Sequence, residues 1–131
     1  MTAWTESQVI TKLSPRPVAA TVSRLTGILA ARGLKVFAII DHGEHASEAG
    51  LRLRETTLVI FGSPAAGPPI IDAAPLAALD LPLRILIWAD SSRTNVTYYS
   101  PEAIAARHGL SAELAANLAA IDPLTDALIA Q

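Results

Sequence analysis

The spacing of apolar and polar positions changes period several times along the chain, and each change marks an element. Residues alternate from Val9 to Leu13, with Val9, Thr11 and Leu13 on one face, which predicts a strand. Ser14-Pro15 then reads as a helix N-cap followed by proline at the first helical position. Val18, Val22, Leu25, Ile28 and Leu29 recur at helical spacing, and Gly33 closes this stripe as a C′ residue. Leu34 to Ile40 is a short, β-branched apolar run, expected to be a buried strand with Asp41-His42-Gly43 at its carboxyl end. Glu44 to Leu53 is polar with scattered alanines and predicts a short helix or helical loop.

Thr56 to Phe61 is the next buried strand, running into a turn from Gly62 to Pro69. Ile70 to Leu79 predicts a helix that Pro75 restarts or kinks. Leu83 to Trp88 and Asn95 to Tyr99 follow as strands around the loop Asp90-Ser91-Ser92-Arg93-Thr94. Ser100-Pro101 repeats the capping signal of Ser14-Pro15, Gly109 ends that helix, and Ser111 opens the last helical region. There Leu114, Leu118, Ile121, Leu124 and Leu128 supply a buried side that Pro123 bends or divides. Strands and helices interleave, but the last hairpin is antiparallel. The expected class is α+β: a mixed or antiparallel sheet of about five strands with helices mainly on one face.

A chain of 131 residues fits one domain and buries roughly two-thirds of its unfolded surface, so residues 1–131 are expected to fold as a single unit without staples. There is no cysteine, which removes disulfides, thiolate zinc sites and cysteine nucleophiles. The formal net charge is −2 and the basic residues form no run or stripe, so neither nucleic acid nor an anionic membrane is an expected partner. Met1 to Glu6 has no basic region followed by an apolar run, and the uncharged stretch from Thr56 to Ile71 is short and broken by Gly and Pro. A cytoplasmic location is expected. The chain is 51% hydrophobic but only 17% charged, which points to a homodimer that covers part of the surface.

Candidate chemistry is sparse. Asp41, His42, Glu44, His45 and Glu48 form one polar cluster, with the two histidines at i and i+3. Such a group can offer two or three ligands to a divalent ion. It lacks the histidine–glutamate arrangement of a zinc hydrolase helix, and a solvated helix start with Asp41 as N-cap accounts for it without a metal. No metal or cofactor is therefore expected. Ser63 lies in Phe61-Gly62-Ser63-Pro64, which is not a nucleophile elbow, so it reads as a turn residue. The glycines from Gly62 to Gly67 lack the Gly-Lys-Ser/Thr ending of a phosphate loop. His108 before Gly109 reads as a surface histidine favoured by a helix dipole.

Several strings carry a resemblance when taken in order. They are Phe37-Ala38-Ile39-Ile40-Asp41-His42, Ile60-Phe61-Gly62-Ser63-Pro64-Ala65-Ala66-Gly67, Leu79-Asp80-Leu81-Pro82-Leu83-Arg84, Trp88-Ala89-Asp90, Tyr99-Ser100-Pro101 and Ala106-Arg107-His108-Gly109-Leu110. Together the chain resembles the domain-of-unknown-function family 302 from its first helix to Leu110. The resemblance implies a curved antiparallel sheet with packed helices, related to the TATA-box-binding-protein-like architecture, and establishes no activity. It points to Asp41, His42, Phe61, Gly62, Pro64, Gly67, Asp80, Pro82 and Asp90 as characteristic positions. The family turn usually reads Phe-Gly-Asn-Pro, then a lysine or small residue, then Gly-Thr. Here Ser63, Ala65 and Pro68 stand at the asparagine, the often basic and the threonine places. A polar, anion-holding turn is thereby weakened.

Two functions follow. The favoured one is a non-enzymatic module that binds a small, partly apolar ligand or a partner. Its ligand-binding residues would be Asp41, His42, Gly43, Phe61, Gly62, Ser63, Pro64 and Gly67, gathered in one pocket between the two loops. The alternative is an enzyme or metal-dependent protein in which His42 and a nearby carboxylate act as general base or ligands.

Overall fold

The computed structural model describes residues 8–131; the reading of Met1 to Glu6 lies outside them. Five strands, β1 (Val9–Ser14), β2 (Lys35–Asp41), β3 (Thr56–Gly62), β4 (Leu83–Asp90) and β5 (Arg93–Tyr99), form one sheet in the order β1-β5-β4-β3-β2. Every neighbouring pair is antiparallel. The helices are α1 (Val18–Ala31), α2 (His42–Glu48), α3 (Gly67–Ala73), α4 (Pro101–His108), α5 (Ala112–Ala116) and α6 (Ile121–Ile129), with a 3₁₀ turn at Pro75–Leu79. The α+β class is the one the pattern predicts, and of the mixed and antiparallel sheets it allows, the sheet is the antiparallel one that the family resemblance implies.

Prolines decide where the sequence reading misplaces an end. Ser14 is not the N-cap of α1; Pro17 occupies that place. A residue before proline is kept from helical dihedrals, so Arg16, held between Pro15 and Pro17, cannot begin the helix. Ser14 instead accepts the Arg16 N–H at 3.2 Å and meets the Thr21 hydroxyl at 2.7 Å. Pro68 and Pro69 do not belong to a turn but to the first turn of α3, where the missing N–H has no helical partner. The expected helix from Ile70 to Leu79 is split before Pro75 for the same steric reason. Pro123 is tolerated in the first turn of α6, and the break falls before it, between Asn117 and Ala120.

Other signals act as read. Gly33 has φ +70° and ends α1, with its N–H on Ala30 O at 3.1 Å and that of Leu34 on Leu29 O at 2.9 Å. Ser100 caps α4 by accepting the Ala103 N–H, and Gly109 closes it at φ +59°. The β4–β5 loop is shorter than expected. Asp90 pairs with Arg93, leaving Ser91 and Ser92 as a two-residue turn with Ser91 at φ +57°.

One face of the sheet carries the main core. Val59 and Phe61 of β3, Ile85 and Ile87 of β4, and Val96 and Tyr98 of β5 meet Val18, Leu25 and Leu29 of α1 and Ile121, Leu124 and Leu128 of α6. Each fully buried large aliphatic side chain contributes roughly 1.5–3 kcal/mol over an exposed one. Ile70, Ala77, Ile104 and Leu118 form a smaller cluster from α3, the 3₁₀ turn, α4 and α5. On the opposite sheet face the register sets Leu58 beside Leu86 and Ile60 beside Arg84, all of them partly or fully exposed.

Polar groups fasten α6 down. The Tyr98 hydroxyl donates to Asp122 Oδ1 at 2.5 Å. Lys12 of β1 donates to Thr125 Oγ1 at 2.7 Å and Asp126 Oδ1 at 2.8 Å. At the other end, Arg16 reaches the carbonyls of Leu128 and Ala130, and Arg24 those of Leu128 and Ala127. Burial raises the Tyr98 pKa and the Asp122 hydrogen bond adds to it, against the opposing pull of Thr125 and Lys12. Burial alone would lower the pKa of Lys12, but the Asp126 and Tyr98 interactions outweigh it and the shift is upward.

Both folded pKa values are raised, so the stability they contribute is fully present below their ordinary values of 10.0 and 10.5 and is lost as pH rises through the folded values. Urea midpoints should therefore fall above about pH 10, and less steeply in Tyr98→Phe, which carries no phenol to ionise. At pH 7 the same substitution should lower stability by about 1–2 kcal/mol through the unpaired Asp122 carboxylate.

Candidate functional site

β3 is apolar on its core face and ends at Gly62, after which the chain must turn. Ser63 makes that turn: its Oγ accepts the N–H groups of Ala65 at 3.3 Å and Ala66 at 3.2 Å, which launches α3. The start of β2 lies alongside, because Lys35 pairs with Gly62 and Val36 with Phe61. A register shift between Val36 and Ala38 sets Phe37 at this end as a bulge residue. Leu81-Pro82, joined by a cis bond, and Leu83 bring in the start of β4, and Leu118, Ile121 and Leu124 come from the α5–α6 segment.

Between these segments lies a cavity of about 490 Å³. Its wall is almost wholly apolar, and the polar side chains that reach it are Lys35, Ser63 and Asn117. Lys35 Nζ stands 4.9 Å from the centre of the Phe37 ring, within cation–π range. Phe61, Gly62, Ser63, Pro64 and Gly67 line this cavity, so five of the expected ligand-binding residues are brought together.

The other three are elsewhere. Asp41 pairs with Thr57, at the far end of the β2–β3 ladder from Gly62. At about 3.3 Å per residue the two ends stand roughly 17 Å apart. Asp41 and Gly43 line a separate groove against α1, with Ile39, Leu51 and Leu53 on its rim. His42 lines neither. The single pocket between the two loops is not formed. Both loops follow strands, but ends of successive antiparallel strands face opposite ways; only parallel strands would place them side by side.

Asp41 caps α2, accepting the Glu44 N–H at 2.9 Å. His45 Nδ1 is 3.7 Å from Glu48 Oε2 on an exposed face. Among the described residues no three His, Asp or Glu side chains converge as metal ligands would. The close histidine–carboxylate contact is a different one. His108 Nε2 lies 2.6 Å from Asp80 Oδ2, with side chains 7% and 13% exposed, and Arg107 approaches the same oxygen at 3.5 Å. His108 is thus not a surface histidine: it ties the end of α4 to the residue after the 3₁₀ turn. The two partners are 28 positions apart, so local spacing carries no trace of them. Their only signal is that each falls within a string of the family resemblance. Neither lines the cavity.

A family model described as "Domain of unknown function DUF302" matches residues 10–128. The chain belongs to the DUF302 family. A crystal structure of an uncharacterized conserved DUF302 protein from Bacillus stearothermophilus is similar in fold, with TM-score 0.78 and 17% identity, covering 92% of this chain and 94% of that one. Two curated relatives are 39% identical over 113 residues, or 84% of this chain. They are "Fluoride-specific ion channel FluC 1" of Brucella suis biovar 1 (strain 1330) and "Fluoride-specific ion channel FluC 2" of Brucella melitensis biotype 1 (strain ATCC 23456 / CCUG 17765 / NCTC 10094 / 16M). This DUF302 chain spans 44% and 42% of their lengths, less than half. Among its described residues no helix is long and apolar enough to cross a membrane.

The two histidines separate by substitution. His108→Ala should cost about 1–3 kcal/mol in chemical denaturation by leaving the Asp80 carboxylate without its partner. His42→Ala, exposed and outside both hollows, should stay within about 0.5 kcal/mol of the parent.

Proposed function

We propose that the protein is a non-enzymatic binding module that takes a small, partly apolar ligand in the cavity between the β3–α3 turn and the α5–α6 segment. The observation that carries this is the cavity itself: about 490 Å³ of apolar wall with few polar groups. Small-molecule sites have this size and composition, roughly 300–1,000 Å³ of hydrophobic lining with a few placed polar atoms. An enzymatic reading finds less support. Ser63 already accepts two backbone N–H groups, and the His108–Asp80 pair sits outside the cavity wall. His42 has no place in the cavity either.

The relatives support a module of this kind. In each, the stretch like this chain occupies under half of a protein named as a fluoride channel. A single domain that binds a ligand beside another function fits that division. The low charge fraction and the apolar side chains on the sheet face away from α1 and α6 support pairing of two copies. A cytoplasmic setting agrees with the absence of cysteine.

Gly67 offers a direct test. It lines the cavity, and a Cβ built there meets nothing within 4 Å, so Gly67→Phe adds a ring at the cavity wall without a clash at Cβ. The neutral dye Nile red should brighten on the parent protein and lose most of that signal with Gly67→Phe, at unchanged circular dichroism. Equal brightening on both would defeat the cavity reading. Pairing is checked separately: light scattering at micromolar concentration should give about twice the 13.7 kDa chain mass, and a monomer mass at every dilution would refute it.

A further inference from the structure

Charge is distributed unevenly around the cavity. Of the residues that line it, Lys35 alone carries a formal charge. Some cations elsewhere are neutralised by carboxylates, Lys12 by Asp126, Arg54 by Asp90, and Arg107 and His108 by Asp80, but none of these lines the cavity. Lys35 has no acidic partner among the described residues, and its ammonium is held over the Phe37 ring at 4.9 Å. Phe37 itself lines the cavity and is 46% exposed. The ammonium is thereby kept beside the opening, at the start of edge strand β2, while Leu34 and Phe61 begin the apolar wall.

An unpaired cation at the mouth of an apolar hollow is complementary to one class of small molecule. We infer that the ligand is an amphipathic monoanion, an apolar chain or ring ending in one carboxylate-type head, seated with the chain in the cavity and the head on Lys35. The inference rests on the cavity reading of the preceding subsection and adds the head group to it. The rest of the wall agrees. Its uncharged polar members, Ser63 and Asn117, bring no negative charge to oppose an anion, and Ser63 Oγ, which accepts two N–H groups in the turn, keeps its O–H as a donor. A neutral apolar ligand would leave Lys35 unused, and a cationic head would meet like charge there.

The test uses decanoate and decanol, which share a chain and differ in the head, each displacing Nile red from the 131-residue chain at pH 7. Lys35→Met keeps the length and apolar stem of the side chain but removes its charge. It should weaken decanoate roughly two- to fivefold, the range of an exposed ion pair, and leave decanol unchanged. Lys35→Arg should restore decanoate binding, and added salt should weaken decanoate on the parent and on Lys35→Arg but not on Lys35→Met. Decanol displacing Nile red from the parent, with decanoate indifferent to Lys35→Met, would overturn the head-group inference and leave the cavity reading intact. Nile red and decanol both failing to bind the parent would overturn the cavity reading and this inference with it.

Discussion

Helix α6 is the part on which the rest of the structure leans. Ile121, Leu124 and Leu128 complete the core opposite the sheet, and two of the three also line the cavity. A helix of nine residues is too short to persist on its own, so it exists only while something holds it to the sheet. That hold is polar at both ends. Tyr98 and Lys12 bind its first turns, while Arg16 and Arg24 take its last carbonyls, where positive charge also meets the negative end of the helix dipole. Tyr98 serves twice, with its ring in the core and its hydroxyl on Asp122.

Much of the fold is legible in the sequence because its signals are local. The stripe from Val18 to Leu29, the left-handed Gly33 and Gly109, and the Ser100 cap are each fixed by residues within a turn of one another. The misplaced ends have a local cause too. Alternating prolines at 15 and 17 restrict the residue between them more strongly than Ser14 favours capping. Pro68, Pro69, Pro101 and Pro123 are tolerated in first turns, where helices have N–H groups to spare.

The site is legible only by half, and the dividing line is physical. Residues 61 to 67 act as one local unit, so their joint appearance on the cavity wall needs only the strand and the turn. Joining them to residues 41 to 43 requires knowing which way neighbouring strands run, and periodicity within a strand does not contain that. The contacts that matter most, His108 with Asp80 and Lys12 with α6, link positions far apart in sequence and leave no pattern in any window. Lys35 and Phe37 are likewise invisible as a pair, since it is the bulge after Val36 that brings this end of β2 to the cavity.

The strand order also governs when the parts can come together. β2 with β3 and β4 with β5 are close in sequence, so their ladders close short loops. β1 is different: Val9 pairs with Tyr99 and Ser14 with Thr94, across some two-thirds of the chain. Loop-closure entropy must be met before such a distant pairing returns any contact energy, which weighs against forming it early. Lys12 arrives with β1, and Arg16 directly follows that strand. The anchors of α6 are therefore assembled only when the two ends of the chain meet. The cavity, one wall of which is α6, depends on that meeting.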